Sequence, residues 1–377
     1  MMEIISREYQ DKIMTCLLTP FSWLYGAATY VRNMLYDKKL LPQEEFNIPI
    51  VSVGNITVGG TGKTPHVEYI VTHLATEYNV AILSRGYKRK TKGYVLANSK
   101  STPDTIGDEP YQMYQKFGMV AKVAVCENRA EGIKRLLKEF PKINLVILDD
   151  AFQHRSIKPK VSVLLTDYNR PIYKDKILPL GRLRESEHGV TRADFVLVTK
   201  CPGGMKAIDY RMILKDLELS EYQKSFFTCY DYRPLKPVFP DDSPYRAVPE
   251  ELTSADTVLL LTGIAQPRTF VRHFKSYPFH KKIYHFPDHH NFSRQDIDKI
   301  SRGFEEMTGK RKIIITTEKD AVRLANNPYY PQHLKPLTFF IPIEVRLLEG
   351  LKGDDFIGAL RKAIEEKENP LNAKYDD

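Results

Sequence analysis

Cysteine is scarce in this chain. The four present, Cys16, Cys126, Cys201 and Cys229, lie far apart with no Cys-x-x-Cys spacing, which argues against a zinc ribbon and a disulfide framework and fits a reducing compartment. Internal repeats are lacking, and so are segments poor enough in apolar residues to stay unfolded. With 42% hydrophobic and 27% charged residues, the balance is ordinary for a protein with a real core. Carboxylates are outnumbered: the formal net charge is +9 and the pI is near 9.1, which favours an anionic partner such as a nucleotide, a phosphorylated substrate or an acidic membrane surface. Nucleic acid fits poorly, because the cations are spread along the chain, cluster only at Lys88–Lys92 and lack interleaved aromatics. Nothing in the pattern calls for an obligate protein partner. At 377 residues the length suits one large α/β domain or two modest ones.

Long uncharged runs are absent but for one, the nineteen residues Ile13 to Val31. As a helix it would be about 28 Å long, close to the hydrocarbon thickness of a bilayer. Its content suits a span poorly, since Thr15, Thr19, Pro20, Ser22, Gly26 and Thr29 interrupt it and Trp23, Tyr25 and Tyr30 prefer the interface. With Arg7 and Lys12 before it and Arg32, Lys38 and Lys39 after, it reads as a helix lying on an anionic membrane, or as a first helix packed on the body of the protein. Glu3, Glu8 and Asp11 stand where a cleaved signal would be basic.

After this leader, residues 1–40, short apolar runs alternate with helix-like segments. Ile50–Val53, Val80–Leu83, Val120–Val125, Leu145–Leu148, Val161–Leu165 and Phe195–Val198 read as buried strands of a parallel sheet wrapped by helices, a first domain over 41–225. Residues 226–250, aromatic and then rich in proline, read as a linker or a short β-ribbon. A second, smaller α/β domain over 251–377 has strands at Val258–Leu261, Ile283–Phe286, Ile313–Thr316 and Thr338–Ile341 and a closing helix near Phe356–Lys367.

The strongest signal follows the first strand: Gly54-Asn55-Ile56-Thr57-Val58-Gly59-Gly60-Thr61-Gly62-Lys63-Thr64-Pro65. It lacks the first glycine of the P-loop pattern but keeps Gly62-Lys63-Thr64, between a buried strand and a helix over His66–Leu74. In such a loop, Thr57, Val58, Gly59, Gly60, Thr61 and Gly62 present backbone N–H groups to phosphate oxygens at a helix N-terminus. Lys63 would reach the β- and γ-phosphates and Thr64 would ligate Mg²⁺. Leu145–Leu148 then supplies a Walker-B-like end, in which Asp149 and Asp150 emerge where a metal or its water shell would sit.

Three further constellations stand beside this cradle. Asp108, in Gly107-Asp108-Glu109-Pro110, reads as the N-cap of a helix over Tyr111–Phe117. Asp288-His289-His290 precedes a capping-box start at Ser293, and His289 could polarise a carboxylate from the other domain. Arg85, just past a strand end, and the cationic run after it could grip a substrate phosphate or lipid headgroups or form a solvated loop, and Arg182, Arg184 and Glu185 follow a turn as ordinary loop charge or as a phosphate or metal contact.

Taken together, the glycine loop, Ser84-Arg85-Gly86-Tyr87, Gly107–Pro110, Asp149-Asp150-Ala151-Phe152-Gln153-His154-Arg155, Leu178–Glu185, Asp288–His290 and Thr317-Glu318-Lys319-Asp320-Ala321-Val322 resemble the tetraacyldisaccharide 4′-kinase (lipid A 4′-kinase) family. The resemblance runs from the leader to about residue 325, and seven motifs in one order make it specific. It implies a P-loop α/β fold, a membrane-associated leader and a smaller domain closing over the active site. It also implies transfer of a phosphoryl group from ATP, with Mg²⁺, to the 4′-hydroxyl of a tetraacylated disaccharide 1-phosphate at the cytoplasmic face of the inner membrane. By the same resemblance Asp108 is the base, assisted by His289. Lys63 and Thr64 keep their P-loop roles, Asp149, Asp150 and Glu185 serve the metal, and Gln153 and Arg155 contact nucleotide or acceptor. The competing class is a P-loop NTPase switch or metallochaperone-type protein, which would hydrolyse nucleotide with no lipid acceptor.

Overall fold

Runs of Val, Ile and Leu buried on both faces set the strands. The computed structural model describes residues 2–243, 249–349 and 355–366, with side chains from residue 15 onward. Its strands are β1 (Ile50–Gly54), β2 (Val80–Ser84), β3 (Val95–Leu96), β4 (Ala121–Val125), β5 (Leu145–Asp149), β6 (Val161–Asp167), β7 (Phe195–Thr199), β8 (Lys224–Tyr232), β9 (Lys236–Pro237), β10 (Thr257–Thr262), β11 (His280–His285), β12 (Lys312–Thr317), β13 (Thr338–Ile341) and β14 (Ile343–Leu347). The α-helices are α1 (Met2–Asp37), α2 (Lys63–Leu74), α3 (Pro103–Ile106), α4 (Asp108–Phe117), α5 (Arg129–Glu139), α6 (Ala207–Leu217), α7 (Pro267–His273), α8 (Arg294–Glu305), α9 (Glu318–Ala325) and α10 (Phe356–Glu365).

The chain divides into two compact units that are discontinuous in sequence. The first holds residues up to Arg85, Met119–Cys229 and those from Val345 onward; the second holds Gly86–Gly118 and Tyr230–Glu344. In the first unit the strands run β8-β7-β6-β1-β5-β2-β4, each neighbouring pair parallel. The connection leaves β1 for β2, two places away, and β5 then fills the gap beside β1. The crevice at the carboxyl ends of β1 and β5 is therefore where a ligand of an open α/β sheet binds. In the second unit the order is β11-β10-β12-β13-β9, parallel except for the short β9.

Sequence and structure part company at three places. Residues 226–250, read as a linker or ribbon, open with most of the nine-residue strand β8, whose Phe226, Phe227 and Cys229 are buried in the first sheet. Four aromatic residues and the β-branched Thr228 make a strand of that stretch before the prolines end it. Residues 86–118, read as part of the first domain, group with the second unit, where Lys116 of α4 pairs with Glu318 of α9 at 2.8 Å. The last helix, assigned by position to the second domain, returns to the first: Phe356 of α10 lies 5.1 Å from the Phe226 ring and 5.8 Å from that of Phe195.

Candidate active site

The first constellation lies where β1 ends and α2 begins. Gly59 has φ 115° and Gly62, the N-cap of α2, has φ 91°, a left-handed backbone that a side chain would strain. The loop is tied from several sides. Val58 N–H donates to the Arg182 carbonyl at 2.7 Å, and the buried Asn55 amide donates to the hydroxyl of Thr61 at 2.7 Å. The Thr199 hydroxyl donates to the Thr61 carbonyl at 2.8 Å, and Lys200, paired with Asp167, donates to the Gly60 carbonyl. Such ties fix the loop's shape in advance of a ligand. Thr57 sits in an antiparallel bridge with Leu183.

Lys63 is the first residue of α2 and Thr64 the second. The Lys63 ammonium lies 3.6 Å from Asp150, which also accepts from Arg184 at 3.1 Å. Burial pushes the Asp150 carboxyl upward, but the Lys63 and Arg184 charges outweigh it and hold its pKa below the usual range. Asp149, at the buried end of β5, accepts from the Ser84 hydroxyl at 3.2 Å. Behind the loop, His66 is fully buried. A carbonyl only accepts, so its Nδ1–H donates to Gly62 at 2.7 Å and its Nε2 accepts from the Thr228 hydroxyl at 2.9 Å. Burial holds this imidazole neutral, with a pKa of about 4.

Glu185, Gln153 and Arg155 are placed differently from their expected roles. Glu185, 3% exposed, accepts from Asn33 at 2.8 Å, Gln153 at 3.0 Å and Arg192 at 2.7 Å, and reaches Asp150 only through Gln153 and Arg184. Gln153 also donates to the Asn55 carbonyl at 2.7 Å. Arg155 binds α1, donating to the Asn33 carbonyl at 2.9 Å and to Asp37 at 2.6 Å. These three side chains join α1 to the loop's support. Arg85 stands exposed just past β2, in the electrostatic neighbourhood of Arg129 and His154. Burial, with Arg129, Arg32 and Arg85, pushes His154 down to about 4.

The second constellation lies wholly within the second unit. Asp108 begins α4, and Gly107, with φ 92°, is the N-cap that the sequence assigned to Asp108. The change frees the carboxylate from capping duty. His289, itself at φ 56°, brings Nδ1 to 3.3 Å from Asp108 Oδ2. Asp108 and His289 were expected from different domains; both belong to the same unit. His290 turns away, 3.0 Å from Asp296 in the capping box of α8 and stacked on Phe286. Two residues that sequence reasoning left without a role complete the group. Arg323 donates to Asp108 Oδ2 through Nε at 3.0 Å and Nη2 at 2.6 Å, and Lys319 Nζ lies 2.8 Å from His289 Nε2. Burial pushes the Asp108 carboxyl up, yet the hydrogen bonds from His289 and Arg323 and the charge of Arg323 win, leaving its pKa at about 2.

The signal for Arg323 and Lys319 was present in the sequence. They are four residues apart and so share one helix face, where two like charges repel unless an anion lies between or beside them. Among the described residues, no group of three or more His, Cys, Asp or Glu could hold a metal ion, and no helix is long and apolar enough to cross a membrane.

The family model described as LpxK, tetraacyldisaccharide-1-P 4′-kinase, matches residues 14–364. A tetraacyldisaccharide 4′-kinase from Bacteroides thetaiotaomicron is 46% identical over 369 residues, 96% of this chain and 95% of that one. One from Bacteroides fragilis is 47% identical over 337 residues, 88% of this chain and 89% of the relative. A crystal structure of LpxK from Aquifex aeolicus in complex with ATP, 28% identical, matches with a TM-score of 0.69 and covers 93% of this chain and 98% of that chain.

Proposed function

The chain belongs to the tetraacyldisaccharide-1-P 4′-kinase family, and we propose that it transfers the γ-phosphoryl group of ATP to the 4′-hydroxyl of a tetraacylated disaccharide 1-phosphate. One observation carries this reading over nucleotide hydrolysis alone: Asp108 and His289, separated by 181 residues, meet at 3.3 Å, which equips the protein to handle an acceptor's proton. Phosphoryl transfer asks mainly for positioning and charge neutralisation. The loop Thr57–Gly62 would hold the phosphates, with Lys63 exchanging Asp150 for the triphosphate. Asp108 would orient the hydroxyl and accept its proton, with His289 holding the carboxylate in place.

The oxygens of Thr64, Asp149 and Asp150 form a hard donor set that fits Mg²⁺ arriving with the nucleotide, whose phosphates and waters would complete its shell. Bound there, the ion would neutralise the phosphate oxygens. Glu185, engaged by three donors of its own, supports the site through Gln153 and Arg184.

We also propose that the protein works at a membrane surface, on the cytoplasmic face of the inner membrane, through α1. That helix is amphipathic in an unusual sense. Ser22, Gly26, Thr29 and Asn33, one helical stripe, include the residues turned toward the body: Ser22 donates to the Ile177 carbonyl and Asn33 to Glu185. Leu17, Phe21, Leu24 and Val31 form an exposed apolar stripe beside Trp23 and Tyr30. An apolar side turned away from the protein suits an interfacial helix.

Incubation of the purified chain with ATP, Mg²⁺ and the disaccharide 1-phosphate in detergent tests the reading. A second phosphate on the lipid, detected by mass spectrometry, is the expected result. Nucleotide hydrolysis that is indifferent to the lipid, with no phosphorylated product, would move the protein to the switch class.

A further inference from the structure

The segment Thr317–Arg323 stands out in sequence, and the reaction as described gives it no task. Structurally it is the start of α9, with Thr317 as N-cap accepting from Asp320 N–H. Its charged residues converge on the Asp108–His289 pair. The Arg323 side chain, 6% exposed, is shared between two carboxylates, with Nε and Nη2 on Asp108 and Nη1 on Asp320 at 3.1 Å. Asp320 is fully buried and held from behind, accepting from Gly263 N–H at 2.8 Å and the Thr317 hydroxyl at 2.6 Å. The guanidinium is thus fixed before it meets Asp108.

Lys319 addresses the other side of the imidazole. An ammonium can only donate, and its 2.8 Å contact is the shortest at the ring; Arg323 Nη2 also comes within 3.2 Å of Nδ1 but is committed to Asp108 at 2.6 Å, so Nε2 is assigned the lone pair and Nδ1 the ring proton, facing Asp108. The second nitrogen of a histidine fixes its tautomer in this way. Glu109 at 3.5 Å and Asp288 at 3.4 Å flank Lys319.

We infer that Arg323 and Lys319 are positioning residues for phosphoryl transfer, Arg323 keeping the Asp108 carboxylate ionised and aimed, and Lys319 keeping His289 in the tautomer that donates to it. The inference rests on Asp108 being the group that receives the acceptor's proton. In the step itself the hydroxyl O–H breaks as its oxygen bonds to phosphorus, the bond to the ADP oxygen breaks, and the proton passes to Asp108. A carboxylate held this acidic is a weak base. It suits a reaction in which the proton leaves late, once bonding to phosphorus has made the hydroxyl acidic. What it supplies earlier is a permanent acceptor for the hydroxyl's hydrogen bond.

The charged and titratable groups facing Asp108 and His289 come from each neighbouring element of the unit. They are Glu109 on α4, Asp288 in the loop after β11, Lys319, Asp320 and Arg323 on α9, and Tyr87 with Lys88, whose ammonium donates to the His289 carbonyl at 3.4 Å. Of these, only Arg323 makes two hydrogen bonds to the Asp108 carboxylate.

The test is the pH profile of turnover, read as initial rates from about pH 2 to 9, for the wild type, Arg323→Gln and Arg323→Lys, with KM for ATP measured alongside. We expect Arg323→Gln to raise the pH at which activity falls off in acid by about one unit or more, since removing a close opposite charge moves a carboxyl by that order. Arg323→Lys should restore part of the difference, and KM for ATP should stay within about twofold, the change falling on the transition-state interaction. Lost turnover with a wild-type pH profile would reduce Arg323 to a packing role and overturn its assignment. For Lys319, ring ¹⁵N shifts of His289, identified by their loss in His289→Gln, should report a proton on Nδ1 in the wild type and on Nε2 in Lys319→Met. The same tautomer in both would overturn that half, and the measurement needs no activity. Asp108→Asn separates the two levels. If it keeps full turnover, the base assignment itself falls; if it is inactive while Arg323→Gln behaves as wild type in pH, only the present inference falls.

Discussion

His66 links the phosphate loop to the far side of its sheet, and its neutrality has a price in acid. An unfolded histidine takes a proton near pH 6.5, whereas this one resists until about pH 4. The folded-state pKa is depressed, so the stabilising contribution is complete above about pH 6.5 and is lost progressively as the pH falls toward 4. Urea unfolding should show a loss of about 2 kcal/mol between pH 7 and pH 5 from this group. In His66→Gln that difference should shrink, whatever the variant costs at pH 7. Among the groups proposed for catalysis, Asp108→Asn should cut turnover by about 10²–10⁴-fold with little change in KM for ATP, read by steady-state kinetics. Lys63 and Thr64 were legible in the sequence because a strand, a glycine turn and a helix carry them in fixed order, and Asp149 and Asp150 because they end a buried apolar run. Arg323 and Lys319 left only a faint trace there, their four-residue spacing on one helix face, because a charged residue on an amphipathic helix otherwise looks the same whether it faces solvent or a partner over two hundred residues away.

At the scale of single elements, the end of β1 leaves no room for a side chain. A Cβ on Gly54 would lie 2.7 Å from Phe152 Cβ and 2.8 Å from its backbone nitrogen, in the segment that follows Asp149 and Asp150. Gly54→Ala should therefore lower stability by about 1–3 kcal/mol, as overpacking does, and weaken nucleotide binding with it, measurable by thermal unfolding with and without ATP. For α1, replacing both Phe21 and Leu24 with Glu should reduce binding to anionic vesicles by about a hundredfold or more, given the apolar area removed. Kinase activity toward a short-chain acceptor in detergent should change far less. Strand positions were readable because runs of four to six β-branched and aliphatic residues have little alternative to a buried sheet. The capping box at Ser293 was readable for a local reason, the three-residue reach of its side chains. The cap before α4 was not, since Gly107 and Asp108 are both acceptable there and only backbone geometry decides.

For the molecule as a whole, sequence order proved a poor guide to which segments share a core. Residues 86–118 and the closing helix each cross to the unit that composition did not assign them, because membership is decided by distant contacts with no local signature. Phe356 illustrates this: it is 1% exposed and packs on Tyr69, Phe195 and Phe226, all of the first unit. Phe356→Ala should destabilise the nucleotide-binding unit by about 3–5 kcal/mol, seen as a lowered midpoint in denaturant, although the residue lies near the end of the chain.

One hydrogen bond reaches further than its size suggests. Asp320, on which Arg323 rests, is fastened by the main-chain N–H of Gly263 at the tip of β10. A main-chain donor survives every substitution but proline, so the acceptor-side machinery hangs from a hook that mutation can bend but hardly delete. Drift at Gly263 would bend it, since an added methyl would press on Asp320 Oδ1 at 3.0 Å. Turnover could then be lost through a residue that meets neither the nucleotide nor the sugar.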